Sequence, residues 1–170
     1  MPLLNRILRF IDDMNDNAGK FVSFSVLILV GILCWEVFLR YFFNSPTIWV
    51  HESTQYFFGA HFMIGGAYAL RHKAMVNVNI LYERFSLRVR AIIDIITSTI
   101  FFLFIGVLLW KGTDLAIISI SRNEMSQSPW GPPVYPIKIV LVIGVFLVML
   151  QGMAKLIRDV ATAISGREAL

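Results

Sequence analysis

The stretch Trp35–Lys73, WEVFLRYFFNSPTIWVHESTQYFFGAHFMIGGAYALRHK, decides the fold. An apolar run carries Glu36 and Arg40 near its end and breaks at Asn44-Ser45-Pro46-Thr47. A second apolar run then opens on Trp49, with His51 and Glu52 just inside it. A helix needs ~20 residues to cross the hydrocarbon core, and residues 21–43 and 48–70 both supply that length. Ser45 is expected to cap the second helix with Pro46 in its first turn, where the missing N–H does no harm. So short a bend makes the two spans antiparallel neighbours. The pattern is a membrane hairpin with charge at its turn.

Composition supports this reading. Of 170 residues, 57% are hydrophobic and only 15% charged, where a soluble domain carries about 25% charged residues. Mean hydropathy is +0.70. The apolar residues fall in long blocks, as expected of one small membrane domain over residues 1–170. A net charge of +4 would suggest nucleic acid in a soluble protein. Here the basic residues flank apolar blocks, so they are read as setting membrane orientation, with no nucleic-acid partner. Cys34 is the one cysteine, which excludes an internal disulfide and a multi-cysteine metal site. The first apolar run is too long for a signal-peptide core and lacks its small-residue exit, so it is expected to be retained.

Outside the hairpin, residues 3–18 place Leu3, Leu4, Ile7, Leu8, Ile11 and Met14 at helical spacing, with Arg6, Arg9, Asp12, Asp13 and Asp16 opposite. An amphipathic helix in the interface plane is expected there. Residues 71–90 are basic and are read as a short cytoplasmic arm helix, with Ser86 capping the next helix. The third span covers 89–110 and can continue as helix to Ser121. Residues 122–136, RNEMSQSPWGPPVYP, form a loop because their prolines forbid regular helix. The fourth span runs over 135–156. The fold class is therefore an all-α membrane protein with four transmembrane helices, an N-terminal amphipathic helix and the arm helix.

Eleven of the fifteen basic residues fall on the side that holds the termini and the 71–90 loop; Arg40, Lys111, Arg122 and Lys138 fall opposite. The positive-inside rule places both termini in the cytoplasm. Trp35, Trp49, Trp110 and Trp130 all fall toward the outer face, as membrane-interface anchors do.

Each chemical candidate has a structural alternative. Glu36 and Arg40, four apart with Glu first, form a favourable helical pair. Glu36 read as an ion-coupling carboxylate would make the chain a self-sufficient antiporter; paired with Arg40 it is a neutralised corner. Glu52, favoured at a helix N-terminus, is expected to reach Arg40 and complete a Glu36–Arg40–Glu52 cluster. His51, His61 and His72 all lie on the second span or its ends and cannot bracket one haem iron, which argues against a haem or anchor subunit of a redox enzyme. His61 is expected to bond a neighbouring helix. Gly59, Ala60, Gly66 and Ala67 make a small-residue packing stripe. Asp94 can pair with Arg90, and Lys111 with Asp114. No nucleophile–base pair, phosphate loop or cofactor motif is legible, so no catalytic, substrate or metal residue is assigned and no enzyme is expected.

Arg40-Tyr41 closing span one, then Pro46, Trp49-x-x-Glu52, Gly65-Gly66-Ala67 before Arg71, Val76-x-Val78 and the Trp130…Pro136 loop together resemble the DctQ-type small membrane subunit of TRAP (tripartite ATP-independent periplasmic) transporters. Their order and spacing carry the resemblance, which covers nearly the whole chain. The family often shows His-Val-x-Val-Asp in the cytoplasmic loop. This chain has Met75-Val76-Asn77-Val78-Asn79, so a polar contact made there by the family does not carry over. The resemblance implies a scaffold in the bacterial or archaeal inner membrane. Its partners would be a large elevator-type membrane subunit, which holds the substrate and sodium sites, and a periplasmic binding protein delivering an organic acid. The loop with Arg122, Glu124 and Trp130 is then the candidate docking loop for the binding protein.

Overall fold

The structure, a computed structural model, describes residues 2–72 and 85–165. These form four helices: α1 (Pro2–Phe42), α2 (Val50–Arg71), α3 (Leu87–Ser121) and α4 (Tyr135–Ser165). The expected arm helix lies largely outside the described residues. By length and composition α1, α3 and α4 are apolar enough to cross a membrane. The 22 residues of α2 have the length, but its first turns carry His51, Glu52, Ser53, Thr54 and Gln55, which lower its hydropathy.

The helices form a layer in the order α1–α2–α4–α3. Two antiparallel hairpins, α1–α2 and α3–α4, meet along α2 and α4, which run parallel at the centre. The register is fixed by close contacts. Going down α2, Gly59, Met63 and Gly66 meet Ile137, Gly144 and Val148 of α4 in turn. On the other flank of α4, Leu141 meets Gly112, and Gly152 meets Phe101. α1 and α3 share no packed face, and both leave most of their apolar surface uncovered. In water such edges would drive aggregation; in a bilayer they are covered by lipid or by a neighbouring helix.

One expectation is corrected. Residues 3–18 are not a separate helix in the interface plane: they are the first half of α1, which runs unbroken for 41 residues, about 60 Å at 1.5 Å per residue. The physical reason is twofold. Asp12 and Asp16 are held by side chains of α2 and α4, which keeps this half in line with the span. Gly19, which could have broken the helix, instead admits the Tyr68 ring of α2 against the backbone. Accordingly Leu8, Asn15, Val22 and Glu36 are buried along one seam, at multiples of seven residues, the spacing of a helix-packing seam.

The turn after α1 also differs. Ser45 does not cap α2. Its N–H donates back to Leu39 O at 3.3 Å, closing α1, while Asn44 takes a left-handed φ of 49°, which asparagine tolerates. The cap residue of α2 is Trp49, with no side-chain cap bond. Likewise Ser86 precedes α3 without a side-chain cap bond.

Candidate functional site

Polar groups concentrate at the two ends of the layer. At the hairpin end, Glu36 is only 7% exposed. One of its oxygens accepts from Arg40 Nη2 at 2.7 Å; the other accepts from Thr47 Oγ1 at 2.5 Å and Thr47 N at 3.2 Å. The carboxylate thus ties the end of α1 to the turn. Arg40 remains largely open outward, its side chain 59% exposed.

Glu52 is not part of that pair. From the first turn of α2 it accepts from Ser126 Oγ at 2.5 Å and Ser128 Oγ at 2.7 Å, both in the α3–α4 loop. The expected Glu36–Arg40–Glu52 triad therefore separates into a Glu36–Arg40–Thr47 corner and a Glu52–Ser126–Ser128 clamp. The reason is register: α2 starts at Val50, later than expected, and its first turn faces the loop.

That loop is ordered by its own backbone. α3 ends in a Schellman motif, with Asn123 N donating to Ile120 O and Glu124 N to Ser119 O, both at 3.0 Å, and Asn123 at φ 45°. A short ladder then closes it: Ser126 N to Pro132 O at 2.8 Å and Val134 N to Glu124 O at 2.9 Å, around an isolated Met125–Pro133 bridge. Gly131, at φ 60°, supplies a second left-handed conformation there, one that glycine adopts without strain. Tyr56 Oη of α2 donates to Pro133 O at 3.2 Å.

Within the candidate docking set, Glu124 is bound to Lys138 at 2.5 Å, whereas Arg122 and Trp130 are exposed. The Lys138 ammonium, through its hydrogen bond, holds the Glu124 carboxyl below its ordinary value of 4.5 against a smaller opposing effect of burial. Because the folded value is depressed, the tie contributes fully above the ordinary value and is lost as pH falls through the lower folded one. Titration of the Glu124 carboxyl by NMR in micelles should therefore show a midpoint below 4.5 that Lys138→Ala moves back upward; an unmoved midpoint contradicts the assignment.

The opposite end holds a denser network that the sequence did not reveal. Asp12 of α1 accepts from Arg158 Nη2 at 2.5 Å and Gln151 Nε2 at 3.0 Å, both of α4. Gln151 Oε1 accepts from Asn15 Nδ2 at 2.6 Å. Asp12 is an acceptor only, so it fixes the orientation of Gln151, and Gln151 that of Asn15. Asn15 and Gln151 are 1% and 2% exposed. Arg71, at the end of α2, pairs with Asp16 at 2.6 Å and donates to the Asp12 carbonyl. His72 Nε2 lies 3.0 Å from Asp16 Oδ1. Lys155 of α4 bridges Asp94 of α3 at 2.8 Å and Asp159 at 3.0 Å. Asp94 therefore finds a partner across helices. Lys111 sits 4.9 Å from the Trp110 ring centroid rather than on Asp114.

Midway between the two ends, His61 Nδ1 lies 3.2 Å from Val22 O. A carbonyl only accepts, so Nδ1 carries the proton, and His61 bonds the neighbouring helix as its position suggested.

A family model described as "Tripartite ATP-independent periplasmic transporters, DctQ component" matches residues 29–162. The chain belongs to the DctQ family. A search of curated proteins found no match. As a DctQ component it is one part of a three-part transporter, in a family of transporter components rather than of enzymes, and its long apolar helices make it a membrane protein.

In this DctQ chain the four tryptophans are exposed in the hairpin half. Within the small-residue stripe, Gly59 and Gly66 face Ile137 and Val148 of α4, 3.2 and 3.5 Å from where a Cβ would stand, and Ala67 is buried. The neighbour of the stripe is thus a helix of the same chain. Ala60 is half-buried. A glycine outside the stripe makes the close approach to backbone: Gly144 of α4 stands against the Met63 backbone. Cys34 is free and exposed.

Proposed function

We propose that this DctQ component is the scaffold subunit of a sodium-driven, binding-protein-dependent transporter for organic acids, carboxylates or sulfonates. It stabilises a large elevator-type membrane subunit and carries no substrate or ion itself. The observation that carries the reading is the state of the charges. Glu36, the acid a self-sufficient antiporter would use, is held by Arg40 and twice by Thr47. A carboxylate so saturated must give up these bonds to take up an ion, which suits a bracket better than a coupling site.

The uncovered apolar edges of α1 and α3 supply surface for the large subunit and for lipid. The contacts Val22–His61, Gly19–Tyr68 and Asp16–His72 carry α2 back along α1, which supports α2 as a fourth span. The layer then has both termini in the cytoplasm of a bacterial or archaeal inner membrane and the α1–α2 turn in the periplasm. There the loop with Arg122, Glu124 and Trp130 helps dock the binding protein, while Trp35, Trp49, Trp110 and Trp130 anchor the interface.

Affinity purification in mild detergent tests this. The large multi-span subunit should come along, and proteoliposomes holding only this chain should show no uptake. Uptake by the chain alone, abolished by Glu36→Gln, would establish the antiporter instead.

A further inference from the structure

The loop 122–134 alternates strictly in its middle. Glu124, Ser126 and Ser128 are the partly buried positions, while Met125, Gln127 and Pro129 are exposed, followed by exposed Trp130. The partly buried set is satisfied by the chain itself: Glu124 by Lys138, and both serines by Glu52. The serine oxygens in turn accept from the loop backbone, Ser128 Oγ from Gly131 N at 3.0 Å and Ser126 Oγ from Ser128 N at 3.4 Å. One carboxylate on α2 therefore orders two hydroxyls, and these order the tip that carries Trp130.

From this the geometry points to Glu52 as the positioning residue of the outer loop: acting through Ser126 and Ser128, it displays Met125, Gln127 and Trp130, beside Arg122, as a preformed face for the periplasmic binding protein. The inference rests on the docking reading proposed above and deepens it. Three arguments support it. Aromatic residues, Met and Arg are the types enriched where proteins meet. A loop already held in its binding shape loses little conformational entropy on docking, so its affinity depends on what holds it. Glu52 stands on a helix packed along both α1 and α4, so the clamp refers the loop to the body of the layer.

The test uses the complex of this chain with its large subunit in nanodiscs. The binding protein of the same transporter is purified with the solute it retains. The double variant Ser126→Ala/Ser128→Ala leaves Glu52 and every helix in place. Two quantities are read: hydrogen exchange of the Gly131 and Ser128 amides, and the half-saturating concentration of binding protein by interferometry. The expected result is exchange at least tenfold faster, half-saturation at least fivefold higher, and unchanged co-purification of the large subunit. Ser126→Thr/Ser128→Thr, which keeps both hydroxyls, should restore both values.

Unchanged exchange overturns the clamp, whatever docking does. Faster exchange with unchanged half-saturation overturns the docking reading of the loop, and the assigned purpose of Glu52 with it.

Discussion

Asp12→Ala should lower the melting temperature of the purified chain in detergent by about 5–12 °C, corresponding to about 2–4 kcal/mol at this chain length. Asp12 is the one group that α1 offers to Arg158 and Gln151 together, at 2.5 and 3.0 Å. With Asn15, which bonds Gln151, it ties α1 directly to α4, whereas the main packing partner of α1 is α2. Its side chain is 14% exposed and that of Arg158 26%, so the loss falls below that of a fully buried pair but well above that of a surface pair. Removing the carboxylate also frees Gln151 to turn, and with it Asn15, at sites closed to water. A cycle of Asp12→Ala with Gln151→Leu should therefore be strongly non-additive, because the second change removes the amide that the first leaves unsatisfied. Melting within 1 °C of wild type, about the noise expected for a surface substitution, would show that the network carries no stability.

Gly144→Ala is the second large effect. An added Cβ would stand 2.5 Å from Met63 O and 2.7 Å from Met63 C. Those are backbone atoms of α2, so no rotamer change relieves the contact and the two central helices must part. Overpacking of this kind costs about 1–3 kcal/mol, against which the gain in helix propensity is about 0.5–1 kcal/mol. Gly65 provides the control, because nothing lies within 4 Å of its Cβ position. Gly65→Ala should leave the melting temperature unchanged or raise it, while Gly144→Ala lowers it and Gly144→Val lowers it further. Equal melting of the two alanine variants would sink the close-packing argument. Loss of the large subunit from Gly144→Ala preparations would add that the α2–α4 contact sets the shape which that subunit requires.

Both effects lie where the sequence was least informative, and the reason is physical. Asp12 and Gln151 stand 139 residues apart, and Asp12 and Arg158 146. Local spacing reads neighbours three or four positions away, as it did for Glu36 and Arg40. It cannot show which far acid an arginine will meet, so Arg71 and Arg158 read only as orientation signals. Glu52 failed for the same reason: both possible partners, Arg40 and the serines of the loop, suit a carboxylate, and only the register of α2 against the loop decided between them. The small residues of α2 were visible as a stripe because there are four of them at helical spacing. Gly144 stands alone between Ile143 and Val145 and gives no such signal.

The sequence by itself determined the features that depend on local chemistry: apolar runs of membrane length, a Pro-broken turn between two of them, a loop that prolines exclude from helix, a helical Glu–Arg pair, and a motif order that matches the DctQ family over residues 29–162. Only the tertiary structure decided how those runs add up. Residues 3–18 continue α1 because ion pairs to two other helices hold them in line. The four helices form an open layer rather than a closed bundle, because α2 and α4 approach through glycine at the centre while α1 and α3 stay at the edges. The hairpin charges divide into a corner and a clamp. Each of these outcomes depends on contacts between segments remote in the chain, and their energies exist only once the helices have been brought together.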